Sequence, residues 1–122
     1  MEAILYVGAG GFTGSVMRYL IGQYLQGKAT GGFPVGTLTV NIIGCFVIGL
    51  VYALASKGQV SSDWKLFLVT GICGGFTTFS AFSNDILVLF KSGNTISGII
   101  YLSVSVIAGI LATIAAYSLV KP

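Results

Sequence analysis

Four long stretches of this chain carry no charged residue: Ala3 to Met17, Ala29 to Ser56, Leu66 to Asn84 and Ser92 to Val120. An uncharged apolar run of about 18 residues or more reads as a membrane-spanning helix. The first run is short, but Arg18 can stretch its stem along apolar surface and keep its head in water, which carries that span to about Tyr24. The pattern therefore predicts an all-α membrane protein of four transmembrane helices. Connections fall near Gln26 to Gly32, Lys57 to Asp63 and Lys91 to Asn94. Residues 1–122 then read as a single four-helix transmembrane domain. Pro34 sits where the second helix begins, a place where a missing N–H costs little. Glu2 stands where a cleavable leader would carry basic residues, so the first span is expected to remain in the mature protein.

The third span departs from a plain anchor. Gly71-Ile-Cys-Gly-Gly-Phe-Thr-Thr-Phe-Ser-Ala-Phe82 places glycines, hydroxyls and three phenylalanines inside an otherwise greasy segment. Glycine weakens a helix, and backbone carbonyls freed in the membrane need protein or a water-filled cavity around them. A third helix broken near Gly74 to Thr78 is expected, and broken polar membrane helices mark ion or substrate sites.

Composition agrees with the pattern: 55% of residues are hydrophobic and 7% charged, with a mean hydropathy of +0.97. So few charges cannot make a water-soluble surface. The net charge of +3 is carried by scattered Lys and Arg, which form no nucleic-acid patch. Four spans put both termini, Lys57, Lys65 and Lys121 on one side and Arg18, Lys28 and Lys91 on the other. This three-to-three balance gives the chain no preferred orientation and predicts insertion both ways. Inverted copies can then build a pathway that one small bundle lacks. Gly10/Gly14 and Gly71/Gly75 have the spacing that lets membrane helices approach closely, within one subunit or between two.

The chain has no histidine, and its acids are Glu2, Asp63 and Asp85. Acid/base pairs, catalytic triads and zinc sites lack raw material, so the chain is not expected to be an enzyme. Val7-Gly-Ala-Gly-Gly-Phe-Thr-Gly14 imitates a dinucleotide fingerprint, but Thr13 takes the third glycine's place and a hydrophobic span replaces the βαβ unit. Cys45 and Cys73 lie inside spans and read as small buried apolar residues, with a disulfide or metal pair as the minor alternative.

Neutral donors inside the spans remain. Thr37 and Asn41 share one face of the second helix, continued by Cys45 and Gly49, and Tyr101 and Ser105 share a face of the fourth. A lone Ser or Thr commonly bonds its own backbone, but the two N–H donors of Asn41 are expensive in hydrocarbon and demand a partner. Phe79 and Phe82 also share a face, where they pack a core or turn their positive ring edges to a small anion. Arg18, the fixed cation in a span, favours anions over cations.

Three segments resemble the Fluc (CrcB-type) fluoride channels: Gly10-Gly-Phe-Thr-Gly-Ser-Val-Met-Arg-Tyr19, Gly36-Thr-Leu-Thr-Val-Asn-Ile-Ile-Gly-Cys-Phe-Val-Ile-Gly49 and Gly71-Ile-Cys-Gly-Gly-Phe-Thr-Thr-Phe-Ser-Ala-Phe-Ser-Asn-Asp85. The third is the most specific. Ala81 departs from the threonine usual there, and Asp85 from a glutamate. The resemblance implies an antiparallel dual-topology homodimer in the inner (plasma) membrane, whose two pores pass fluoride passively out of the cytoplasm and relieve its toxicity. It assigns Asn41, Phe79 and Phe82 to the anion path, with Ser80, Ser83 and Tyr101 near it and Thr37 on the same stripe as Asn41. Arg18 would draw anions into the vestibule. A structural sodium ion at the dimer interface would be held by the backbone carbonyls of Gly74 and Thr77.

Two rivals share the hydropathy profile. A small multidrug-type antiporter needs a titratable acid buried in its first span, where only Glu2, at the very end, is available. A noncatalytic membrane-assembly subunit would explain the glycine faces and leave Asn41 and the phenylalanines without a purpose.

Overall fold

The computed structural model describes residues 2–26 and 33–120, all of it helix and short connections. In chain order the elements are α1 (Glu2–Gln26), α2 (Val35–Ser56), α3 (Ser62–Lys65), a π-helix (Leu66–Cys73), α4 (Gly74–Phe76), α5 (Phe79–Lys91) and α6 (Thr95–Val120). Residues 27–32 of the expected first connection, with Lys28, and also Lys121, lie outside the described residues.

Three segments are long and apolar enough to cross a membrane: Val35–Ser56, Ser62–Lys91 and Thr95–Val120. The chain is a multi-pass membrane protein. Helix α1 covers the stretch expected of a first span but is less apolar, because Glu2, Arg18 and a row of glycines dilute its hydrophobic residues.

Glycines set how closely the helices approach. A Cβ added at Gly10 or Gly14 would run into the carbonyls of Phe67 and Ile72 in the π-helix. One at Gly71 would lie 2.8 Å from the Gly10 Cα, and one at Gly75 would lie 2.6 Å from the Gly11 carbonyl. Backbone therefore meets backbone along one seam, and both small-residue motifs are used within a single chain. A π-helix is rare beyond one turn, and this one lies against α1 along that seam. A second seam joins α2 to α6, where a Cβ at Gly49 would strike the Thr113 carbonyl and one at Gly109 would lie 3.3 Å from the Cys45 sulfur. Thr113 also donates from its hydroxyl to the Cys45 carbonyl at 2.9 Å.

Two turns reverse the chain by the same device. Gly58 and Gly93 adopt positive φ, of 74° and 86°, one residue past the caps of α2 and α5. After α2 the Gln59 N–H reaches back to the Leu54 carbonyl and the Gly58 N–H to Ala55. After α5 the Asn94 N–H bonds Leu89 and the Gly93 N–H bonds Phe90. These paired bonds satisfy the last carbonyls of each helix. The Pro34 carbonyl accepts the first helical bond of α2, from Leu38 at 3.2 Å.

Buried side chains include Val40, Cys73, Phe76, Phe82, Leu89 and Tyr101. Around Phe82, Leu89 and Tyr101 gather Phe33, Leu38 and Ile86. Most other large apolar side chains face outward, as a bilayer requires, and Cys45 and Cys73 are free thiols, half-buried and buried.

The α1 seam generates a test. Gly14→Ala drives a methyl into the Ile72 carbonyl and is expected to destabilise the fold by about 1–3 kcal/mol. Gly8→Ala, with nothing within 4 Å of the new methyl, is expected to be neutral or stabilising by up to about 1 kcal/mol. Thermal unfolding of the two variants in detergent measures the difference, and equal midpoints would show that the seam gives way without cost.

Candidate functional site

The site is built where the third span stops being helical. Thr77 and Thr78 have extended backbone, at φ −93°, ψ 154° and φ −154°, ψ 124°. Threonine suits this place because its hydroxyl offers the backbone a local alternative to helix bonds. Thr77 donates from its hydroxyl to the Cys73 carbonyl at 2.8 Å, and Thr78 caps α5 by accepting the Ala81 N–H at 3.3 Å. The Ser80 hydroxyl lies 3.1 Å from that of Thr78.

In a continued helix the Thr78 N–H would bond the Gly74 carbonyl. It goes instead to the Asn41 side-chain oxygen, at 3.1 Å. The Asn41 amide nitrogen reaches the Thr78 carbonyl at 3.5 Å, a long and weak contact. Asn41 thus spends its acceptor on the backbone while its two N–H donors remain largely uncommitted. The neighbouring Gly75 carbonyl receives the Arg18 Nε–H at 3.0 Å. One residue from α2 and one from α1 thus bond two of the backbone groups that the interruption lays open.

Two cavities meet at Thr78. One, of about 290 Å³, is lined by Arg18, Thr37, Val40, Thr78 and Ala81, among others. The other, of about 280 Å³, is lined by Asn41, Cys45, Thr77, Thr78, Phe79, Phe82 and Ser105, among others. The first carries the fixed positive charge, and the second carries the Asn41 amide and the phenylalanine rings.

The ring of Phe82 is buried, with Phe79 and Tyr101 tilted on it at centroid distances of 5.8 and 5.2 Å. Phe79 is 78% exposed in the single chain. Tyr101 is fully buried, meets Phe33 edge-on at 5.7 Å, and donates its hydroxyl proton to the Asp85 carboxylate at 3.0 Å. Thr37 also approaches the Tyr101 hydroxyl.

Of the residues singled out from sequence, Asn41, Phe79, Phe82 and Thr77 share one cavity and Arg18 and Thr37 share the other, while Tyr101 backs the Phe82 ring. Ser80 and Ser83 are exposed on α5 and line neither cavity, although Ser80 is tied to Thr78. Gly74 is exposed, with its carbonyl deprived of the usual helical donor. Ser105, grouped with Tyr101 by the sequence as a neutral donor inside a span, was not assigned to the anion path. Its hydroxyl oxygen is buried, has no hydrogen-bond partner among the described residues, and faces the phenylalanine cavity. Asp85 gains a partner that no spacing along the chain revealed. Among the described residues no group of three His, Cys, Asp or Glu side chains could hold a metal.

The family profile described as CrcB-like protein, Camphor Resistance (CrcB), matches residues 5–117. The chain belongs to the CrcB family. It is similar to two proteins named fluoride-specific ion channel FluC. The one from Phocaeicola vulgatus is 48% identical over 111 residues, covering 91% of this chain and 92% of that protein. The one from Rhizobium meliloti is 46% identical over 122 residues, covering 99% and 98%. A third protein of that name, from Chlorobium phaeobacteroides, is 46% identical over 110 residues, covering 89% and 85%. The family match, residues 5–117, spans every residue that lines the two cavities.

The clamp can be tested for its structural share. Asn41→Leu strands the Thr78 N–H and is expected to destabilise the protein by about 1–3 kcal/mol, the cost of an orphaned buried donor. Asn41→Asp keeps an acceptor facing that N–H and is expected to stay closer to the parent. Thermal unfolding in detergent ranks the three proteins, and a Leu variant as stable as the parent would show that the backbone does not depend on Asn41.

Proposed function

We propose that this chain is a fluoride-selective passive channel that carries fluoride out of the cytoplasm across the inner (plasma) membrane and so lowers its toxicity. The observation that carries this reading is the position of Asn41, whose acceptor is held by Thr78 and whose donors border the cavity lined by Phe79 and Phe82. A dry pore must return to fluoride much of the hydration it strips, because a buried unsatisfied charge is very costly. Amide N–H groups and positive ring edges can do so. Arg18 and the cavity that shares Thr78 provide an electropositive approach, and the N-terminal end of α5 adds partial positive charge beside it. Near-full-length similarity to proteins named as fluoride-specific channels supports the same assignment. Ser80, tied to Thr78, stands beside this path, Ser83 is placed near it by the resemblance alone, and Tyr101 backs the Phe82 ring.

The working unit of the proposal is an antiparallel homodimer of four-helix chains with dual topology. The exposure of Phe79 supports it, since a ring beside the ion path needs a second chain to close the wall. Helix α1 acts as the fourth span. Its 25 residues reach about 37 Å at 1.5 Å each, and its one buried-side charge is bonded to the Gly75 carbonyl. The break near Gly74 to Thr78 serves a structural sodium ion at the centre of the dimer. The donors fit it: the Thr78 N–H is diverted to Asn41, the Gly74 carbonyl is left without that partner, and carbonyl oxygens suit a hard cation. Sodium there would supply positive charge that draws the two broken helices together, with Gly74 and Thr77 of each chain as ligands.

Fluoride efflux from liposomes, normalised to folded protein, tests the reading. Parent protein is expected to release fluoride, and Asn41→Asp to abolish the flux by putting an acceptor where the ion needs a donor. Phe82→Ile keeps bulk but loses the ring edge, and is expected to lower flux at least about tenfold, or roughly 1.4 kcal/mol on the barrier. Normal flux per folded dimer in Phe82→Ile would falsify a role for the ring, and no efflux from well-folded parent protein would overturn the channel assignment.

A further inference from the structure

Residues that the anion path does not use gather where α1 meets the start of the third span. Tyr6, Ala9, Ser61, Asp63, Trp64 and Phe67 line an open cavity of about 380 Å³, with Ser61, Asp63 and Trp64 exposed at its mouth. Three of the six are aromatic, and the only charged one is Asp63. Lys65, two residues further on, is turned elsewhere, with its Nζ over the Tyr52 ring at 5.9 Å from the centroid. The Trp64 ring stands edge-on to Phe67 at 5.8 Å, and the Trp64 backbone N–H bonds the Ser61 hydroxyl oxygen at 3.3 Å. That bond uses an acceptor site on Ser61 and leaves its O–H free to donate.

We propose that this cavity binds the ammonium of a zwitterionic phospholipid headgroup, ethanolamine or choline, with the lipid phosphate taking the Ser61 hydroxyl. The sign of the site selects a cation, because Asp63 is its one charge. The aromatic walls select an organic cation, which gains from ring faces. A hard metal ion would need six or more oxygen ligands, and the cavity offers far fewer. Position selects the lipid: the cavity lies at the first turn of the Ser62–Lys91 segment, the headgroup level at which Trp and Tyr collect. A chain that inserts in either orientation meets such headgroups in both leaflets. The site touches neither of the cavities at Thr78, so it stands or falls independently of fluoride conduction.

Trp64 is the single tryptophan of the chain and reports directly on the cavity. The full-length protein in maltoside micelles is titrated with short-chain phosphatidylethanolamine, phosphatidylcholine and phosphatidylglycerol of one acyl length, and with free ethanolamine, while Trp64 emission is read. The amine lipids are expected to give a saturable change with midpoints at least about tenfold below that of phosphatidylglycerol. Asp63→Asn is expected to raise the phosphatidylethanolamine midpoint at least about fivefold and to leave that of phosphatidylglycerol and liposome fluoride efflux unchanged. Tyr6→Leu removes a ring wall and is expected to weaken the same two amine lipids. Equal responses to phosphatidylethanolamine and phosphatidylglycerol overturn the proposal, as do normal midpoints in both variants. Free ethanolamine saturating at the lipid's concentrations reassigns the site to soluble amines. An emission change that follows protein concentration instead of lipid gives the cavity to a second copy.

Discussion

The interruption at Thr77 and Thr78 exists because Asn41 accepts the Thr78 N–H. Inside a bilayer an unpaired backbone group costs several kcal/mol, and water cannot relieve it. Two consecutive extended residues in a membrane segment are therefore tolerable only where neighbouring helices supply partners. Asn41 from α2 and Arg18 from α1 do so, on Thr78 and Gly75 respectively. The bonds that make the break possible also place an amide and a guanidinium beside it, so the structural solution and the chemistry of the site are the same groups.

Close approach of the helices follows from the same economy of space. The Arg18 side chain reaches Gly75 because Gly10 and Gly14, two turns and one turn before it, bring α1 against the π-helix at backbone distance. The seam between α2 and α6 performs a parallel task, holding Asn41 and Ser105 on the walls of one cavity. Bulkier residues at these glycines would separate the walls of both cavities, with no change to any group that carries charge or donates a proton.

Eight of the aromatic residues form two groups with different surroundings. Phe33, Phe79, Phe82 and Tyr101 pack ring against ring beside the cavity that Asn41 lines, and the Tyr101 hydroxyl ties them to the Asp85 carboxylate. Tyr6, Tyr52, Trp64 and Phe67 lie toward the other end of the third span, close to Asp63 and Lys65. The first set faces an anion in the proposed channel. The second set sits with a carboxylate and a lysine at the start of the third apolar segment, where the proposed lipid site would place its rings among headgroups.

Three of the four expected spans, the membrane class and the shortage of acid–base and zinc chemistry were legible in the sequence, because hydropathy runs and the lack of histidine and paired acids depend on composition and local order alone. Periodicity also grouped Thr37 with Asn41 and Phe79 with Phe82, since a helix fixes which residues share a face. The sequence could not say that Asn41 would spend its oxygen on Thr78, that Tyr101 would bond Asp85, or that Ser105 would bury an unpaired hydroxyl over the same cavity. Those pairings join residues on different elements, and they depend on crossing positions set by backbone contact at Gly10, Gly14, Gly49 and Gly71. Asn41 was visible as an expensive polar residue in need of a partner. Only the packing of α2 against the interrupted span decided which partner it found, because a hydrogen bond is fixed by tertiary distance and angle and not by spacing along the chain.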